Sequence, residues 1–374
     1  MSTDNKDIIK IDSAALQRVE NQLSISNKLI FQSKERLARE YFEMGNSICR
    51  EQDDYKEAIH LFTQAIDLKH DYSEAYISRG WTKYSFKDYQ GAIEDINILI
   101  TLDSKDANVL EERGVMQYFI MDDKKAAIDD LNQAILINPN CVRAYLSRAL
   151  INDDDTQGAF EDYNNAIKID PRSTAAYSYR ASLKCQLKDY QGSIEDYSHA
   201  IEFFSLNNYS PIESFCQIFS IKVNHYYSKS YVDRGNVKQL IDDYDGAIND
   251  YSQAIAINPE NEEAYNNRGD SRFFLKDYQG ASNDYSQAIS INPENEEAYN
   301  NRGDVKLLLK DYQSAIDDYT RTIDMDGRNY ELAYRQRGLA RYYMNDKQGA
   351  YNDWKALFCG IDLIRKYFPK GSKF

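Results

Sequence analysis

Two stretches of this 374-residue chain are nearly the same stretch. Residues 251–270 read YSQAIAINPENEEAYNNRGD and residues 285–304 read YSQAISINPENEEAYNNRGD, a 34-residue offset in which only Ala256 and Ser290 differ. A period of that length marks helix–turn–helix arrays, where no repeat buries its apolar face alone and stacking supplies the core. Length therefore does not set a domain count as it would for a globular chain. Only 6 prolines interrupt the sequence, so most of it can be helical.

The period extends well beyond the twin segments. With Tyr265 as position 4 and Gly269 as position 8, nine repeats cover residues 38–362 apart from one insert. Position 4 is Tyr41, Tyr76, Leu110, Tyr145, Tyr177, Tyr231, Tyr265, Tyr299 and Tyr334. Position 8 is glycine in seven repeats, with Ala149 and Ala181 in the fourth and fifth, and position 20 is alanine in all but the fifth, which has Ser193. Small residues at 8 and 20 let two helices approach, and the bulky residue at 24 (Phe62, Ile96, Leu131, Tyr163, Tyr197, Tyr251, Tyr285, Tyr319, Trp354) fills the space beside them. Proline at 32, as at Pro139, Pro171, Pro259 and Pro293, stops the second helix.

This pattern resembles the tetratricopeptide repeat family. The resemblance implies an all-α chain, a right-handed α-solenoid superhelix of stacked antiparallel helix pairs. Repeats 1–5 fall on residues 38–207 and repeats 6–9 on residues 228–362. The fourth repeat is two residues short between positions 8 and 20, which predicts a short first helix and a tight turn.

Three segments lie outside the period. Residues 1–37 form an N-terminal extension whose Leu16, Val19, Leu23, Ile25, Leu29 and Ile30 suit a helix capping the first repeat, or alternatively a docking helix for another protein. Residues 208–227 form an insert with Phe215, Cys216, Phe219, Ile221 and Val223 in helical register. It is read as a packed spacer that re-aims the superhelix; the alternative is a partner or dimer contact, which leaves a homodimer open. Residues 363–374 form a C-terminal cap and tail, with Ile361, Leu363, Ile364, Tyr367 and Phe368 able to cover the last repeat.

Position 7 is arginine in eight repeats (Arg79, Arg113, Arg148, Arg180, Arg234, Arg268, Arg302, Arg337), and position 23 is aspartate in the same eight (Asp95, Asp130, Asp162, Asp196, Asp250, Asp284, Asp318, Asp353). The first repeat has Met44 and Leu61 instead, so both members change from ionic to apolar together. That predicts an ion pair inside each repeat rather than a phosphate-binding stripe.

A net charge of −15 argues against a general nucleic-acid binder. The N-terminus lacks an apolar signal core, and no run of apolar residues is long enough to span a bilayer. These readings place the chain in the cytoplasm, away from nucleic acid and membrane. Five dispersed cysteines and four isolated histidines have no metal spacing, and the usual nucleotide-binding, hydrolase and metalloprotease motifs are absent. No cofactor, metal or catalytic residue is expected, and the chain is read as not an enzyme.

In the family the first helix of each repeat lines a concave face. The resemblance places Asp233, Asn267, Asn301 and Gln336 there at position 6, as an amide-and-acid ladder similar to the asparagine ladders that hold extended peptides. An amide donates and accepts at once, which suits a peptide bond whatever its side chain. Asn236, Asn266, Asp270, Asn300 and Asp304 would lie beside the ladder, and Phe273, Phe274, Leu307, Leu308, Tyr342 and Tyr343 would add apolar contact. The cationic clamp used by chaperone-binding members is missing, because Glu263 and Glu297 occupy position 2 and Asp270 and Asp304 position 9. The expected function is a non-catalytic scaffold for a protein or extended peptide that is neutral or basic rather than acidic. The alternative is an enzyme or regulator with its site in the 208–227 insert or at residues particular to one repeat.

Overall fold

The computed structural model describes residues 13–51, 54–102, 105–206, 223–325 and 330–357. Among these residues there are eighteen helices and no strand. They divide between two compact bodies. In the first, α1 (Ser13–Glu51) pairs with α2 (Tyr55–Leu68), α3 (Ser73–Ser85) with α4 (Tyr89–Thr101), α5 (Ala107–Met121) with α6 (Lys124–Ile137), and α7 (Val142–Ile151) with α8 (Thr156–Ile169). In the second, α9 (Thr174–Gln186) pairs with α10 (Tyr190–Leu206), α11 (Val223–Leu240) with α12 (Tyr244–Ile257), α13 (Glu262–Phe274) with α14 (Tyr278–Ile291), α15 (Glu296–Leu308) with α16 (Tyr312–Asp324), and α17 (Tyr330–Tyr343) with α18 (Lys347–Lys355). Each helix pair is one sequence repeat, and within each body consecutive pairs stack.

Two boundaries read differently from the sequence expectation. The extension and the first helix of repeat one are a single 39-residue helix, so the division at residue 37 falls inside α1. Nothing between Ser13 and Tyr41 breaks a helix, since that stretch holds neither glycine nor proline. Leu29, Ile30 and Phe31 on it are exposed. Residues 223–227 of the insert belong to α11, while the rest of the insert and the 363–374 tail lie outside the described residues.

The turn inside each repeat has its own chemistry. Helices α3, α5, α9, α11, α13, α15 and α17 are followed by a residue at positive φ: Lys87, Asp122, Lys188, Asp242, Lys276, Lys310 and Asn345. An aspartate comes next in each case and caps the following helix. Asp277, for example, accepts from the Gly280 N–H at 3.0 Å and Asp88 from Gly91 at 3.0 Å. In the shortened fourth repeat α7 has 10 residues, and Asn152 beyond it has φ −89°, so the deletion removes the left-handed residue but keeps the Asp155 cap.

The turn between repeats is encoded by the NPEN segment. Asn258 and Asn292 are extended, as a residue before proline must be. Their side chains accept from the Glu260 and Glu294 N–H groups at 3.2 and 3.0 Å. Asn261 and Asn295 then cap α13 and α15. Packing of the pair is close at position 8: a Cβ on Gly269 or Gly303 would lie 2.6 or 2.7 Å from the Tyr285 or Tyr319 ring. Ala247, Ala281 and Ala315 at position 20 are fully buried, as are Tyr251 and Tyr319 at position 24.

Candidate functional site

The arginine and aspartate rows meet. In repeat seven Arg268 Nη2 lies 2.7 Å from Asp284 Oδ1, and its Nε donates to Oδ2 at 3.0 Å, a bidentate fork. The same fork recurs in all eight repeats that carry the residues. Each arginine does more than close its own repeat. Nη1 of Arg268 reaches back to Ser252 Oγ of the preceding repeat at 3.0 Å, as Arg302 does to Ser286 and Arg337 to Thr320. The guanidinium also sits over the position-4 ring, 5.5 Å from the Tyr265 centroid. A second cation at position 11 completes the arrangement: Lys83, Lys184, Lys238, Arg272, Lys306 and Arg341 each approach the position-23 carboxylate. Sequence reading found the pair and missed this third member, although a basic residue four places after the arginine was there to be seen.

A second polar row runs along the first helices of repeats six to nine. Tyr251 OH donates to Asn236 Oδ1 at 2.8 Å, and Asn267 Nδ2 of the next repeat donates to the same oxygen at 2.9 Å. One repeat on, Tyr285 OH and Asn301 Nδ2 both donate to Asp270 Oδ1, at 2.7 and 3.1 Å. Tyr319 OH donates to Asp304 at 2.7 Å, and Gln336 hydrogen-bonds the same carboxylate. Position 9 is thus the shared acceptor of its own tyrosine and of the next repeat's position-6 amide. The tyrosines read as space fillers therefore also hold the ladder in place. The signal in the sequence is partial: polar position 9 accompanies Tyr197, Tyr251, Tyr285 and Tyr319, and Trp81 and Val115 accompany Ile96 and Leu131, but Leu150 stands with Tyr163 and Asn46 with Phe62.

The expected site residues fall into four groups. Asn236, Asn267, Asp270, Asn301, Asp304 and Gln336 are half-buried members of the relay. Asp233 is half-buried beside them, 3.0 Å from Lys229, which also reaches Glu263 at 3.2 Å. Asn266 and Asn300 are not presented to a partner: they are 6% and 3% exposed, and their Oδ1 atoms are enclosed without a hydrogen bond. Position 5 faces the interior because positions 5 and 8 share one side of the helix, and Gly269 and Gly303 sit at the tight contact. Phe273 is partly buried against Phe274 and Tyr278 rather than displayed. Burial pushes the Asp270 carboxyl up to about 6, opposed by its Tyr285 and Asn301 bonds. Burial likewise raises Asp304 and Asp233 above the ordinary carboxylate range.

The first body holds a different polar cluster at the corresponding register. Glu111 Oε2 lies 2.6 Å from Arg143 Nη2, which also binds Glu112, and Ser147 donates to Glu111 at 2.8 Å. Trp81 Nε1 donates to Glu112 at 3.3 Å. One arginine serves two enclosed carboxylates, and burial lifts Glu111 to about 7.

Family comparisons agree with this architecture. The sequence matches the "TPR repeat" family over residues 235–273 and 269–310, and the "Tetratricopeptide repeat" family over residues 50–107 and 296–329. This is a tetratricopeptide repeat chain. No curated protein matches the tetratricopeptide repeat chain as a sequence relative. Among solved structures, it is similar to YrrB, described as "a TPR protein with an unusual peptide-binding site", at 16% identity over 54% of this chain and 95% of that one, TM-score 0.43. A tetratricopeptide repeat protein from Parabacteroides merdae aligns at 18% identity over 72% and 98%, TM-score 0.46. PilF of Pseudomonas aeruginosa aligns at 13% over 59% and 93%, TM-score 0.46. Among the described residues no helix is long and apolar enough to cross a membrane, and no cluster of three acidic, histidine or cysteine side chains is placed to hold a metal.

Proposed function

We propose that the tetratricopeptide repeats bind an extended protein segment along the first helices of repeats six to nine, without catalysis. The observation that carries this reading is the relay itself. Asn267, Asn301 and Gln336 are held at one register by bonds to Asn236, Asp270 and Asp304. Among the described residues the Asn267 and Asn301 amides make no bond besides these, which leaves a carbonyl and a second N–H for a ligand, and a row of such groups at repeat spacing suits the alternating donors and acceptors of a peptide backbone. Preorganisation by the tyrosines lowers the ordering cost on binding.

Charge selects the partner. Asp233, Asp270, Asp304 and the exposed Glu263 and Glu297 border the row, while Lys229 is held between two of these carboxylates. The face therefore favours neutral or basic segments. The test is fluorescence anisotropy of the full chain against peptide libraries of graded charge, with Asn301→Ala and Asp270→Asn variants. Weaker binding in Asn301→Ala for basic and neutral peptides alike supports backbone recognition. Unchanged affinity in both variants would remove the relay from the account.

A further inference from the structure

Repeats six to nine carry a second unexplained feature, on the edge formed by the turns inside each repeat. Residues 240–241, 274–275, 308–309 and 343–344 read LI, FL, LL and YM, and all eight side chains are exposed. Phe274 is 56% and Leu240 60% exposed. Each pair sits at the end of a first helix, just before the left-handed turn residue, so all four pairs recur at the same register. Stacked rings bridge repeat junctions along this edge: Tyr244 lies 4.9 Å from Phe274, and Tyr312 lies 5.4 Å from Tyr343.

The quantity of surface separates this row from ordinary scattered exposure. With about half of each large side chain showing, and up to 150–250 Å² for an aromatic, the row offers on the order of 700 Å² of apolar surface. That exceeds the few hundred Å² usual for a patch on a monomer. It approaches the roughly 800 Å² that each partner contributes to a standard interface.

We infer that this edge is the self-association surface of the chain, and that its occupant is the same edge of a second copy related by a two-fold axis. Three observations favour a copy. The apolar pairs recur once per repeat, and a second copy has the same pitch, so its pairs can seat between those of the first. The edge carries both signs of charge, with exposed Lys276, Lys310 and Lys347 among exposed Asp242, Asp243, Asp277, Asp311 and Asp346. A chain of net charge −15 repels its copies, and the lysines interspersed along this edge reduce that repulsion by facing the partner's aspartates across a two-fold contact. The area also matches a closed isologous contact, in which one patch meets itself. The inference is independent of the peptide-binding relay, whose bonds lie between the helices rather than at the turns.

Sedimentation velocity of the full chain at tens of micromolar tests it. The wild-type protein should sediment near twice the 43.4 kDa of one chain. The double variant Phe274→Glu/Leu308→Glu, with helicity checked by circular dichroism, should dissociate at least roughly tenfold more readily, because a carboxylate facing apolar surface is costly to bury. Asn267→Ala/Asn301→Ala on the relay should leave the dimer intact. A wild-type monomer at these concentrations overturns the inference, as does a folded double variant that remains dimeric.

Discussion

Removing Asp284 should cost repeat seven more than removing its arginine. Asp284 is 2% exposed and balances two cations, Arg268 at 2.7 Å and Arg272 at 2.7 Å. Asp284→Leu leaves both guanidinium groups poorly compensated in a largely enclosed site, and loss of one member of such a set costs about 3–5 kcal/mol. Arg268→Met leaves Asp284 paired to Arg272 and loses the Ser252 bond and the Tyr265 face, so roughly 1.5–3 kcal/mol is expected. The double variant Arg268→Met/Asp284→Leu copies the natural state of repeat one, where Met44 and Leu61 stand at these positions. Arg272 can then turn toward Asp277, already 3.8 Å away. The double loss should therefore fall short of the sum of the single losses by about 1–3 kcal/mol. A repeat array need not unfold in one step. Urea titration should accordingly be paired with hydrogen exchange on the amides of α13 and α14, which reads local opening. Additive losses, or two single losses both under about 1 kcal/mol as for surface pairs, would refute the argument that these forks are desolvated and shared.

Other consequences are open to simpler measurements. Glu111 and Asp270 titrate higher folded than unfolded, at about 7 and about 6, so the stability they contribute is complete at acid pH and lost as pH rises through those values. Glu111→Gln should flatten the fall in melting temperature between pH 5 and 8 that this loss, about 1–3 kcal/mol, produces; an unchanged slope would reject the assignment. Gly303→Val places a branched side chain where a Cβ already lies 2.7 Å from the Tyr319 ring, which the Asp304 bond holds in place. A destabilisation of about 1–3 kcal/mol is expected in urea, with Gly280→Ala much milder because Ala126 occupies the equivalent place in repeat three. Asp311→Ala removes the cap of α16 and should cost about 0.5–2 kcal/mol.

How much of this was legible beforehand depends on whether a residue's role repeats. The helix pairs, the short α7 and the Arg–Asp forks follow from positions that recur through most repeats, and recurrence is visible in one sequence. The Tyr–Asp–Asn relay was harder to see, because it joins position 24 and position 9 of one repeat to position 6 of the next. A buried phenol must place its hydroxyl, and following that requirement from Tyr285 would have led to Asp270. Asn266 and Asn267 show the limit from the other side. They are the same residue type one place apart, yet a helix turns by about a quarter of a circle between them, so one is enclosed and the other belongs to the relay. The Glu111–Glu112–Arg143 cluster occurs in one place, and no periodicity announces it.

The relay has a built-in terminus. In repeat nine position 9 is Leu339 and position 24 is Trp354, whose Nε1 donates to the Arg335 carbonyl on its own partner helix. Nothing is offered there to a following amide. A further 34-residue copy inserted between repeats seven and eight would inherit a donor and an acceptor at both junctions and lengthen the row by a rung. The same copy added after repeat nine would find no acceptor for its position-6 amide. The polar row can therefore lengthen by duplication in its middle but not past Trp354, and the near-identity of residues 251–270 and 285–304 lies within the segment where such lengthening keeps every rung bonded.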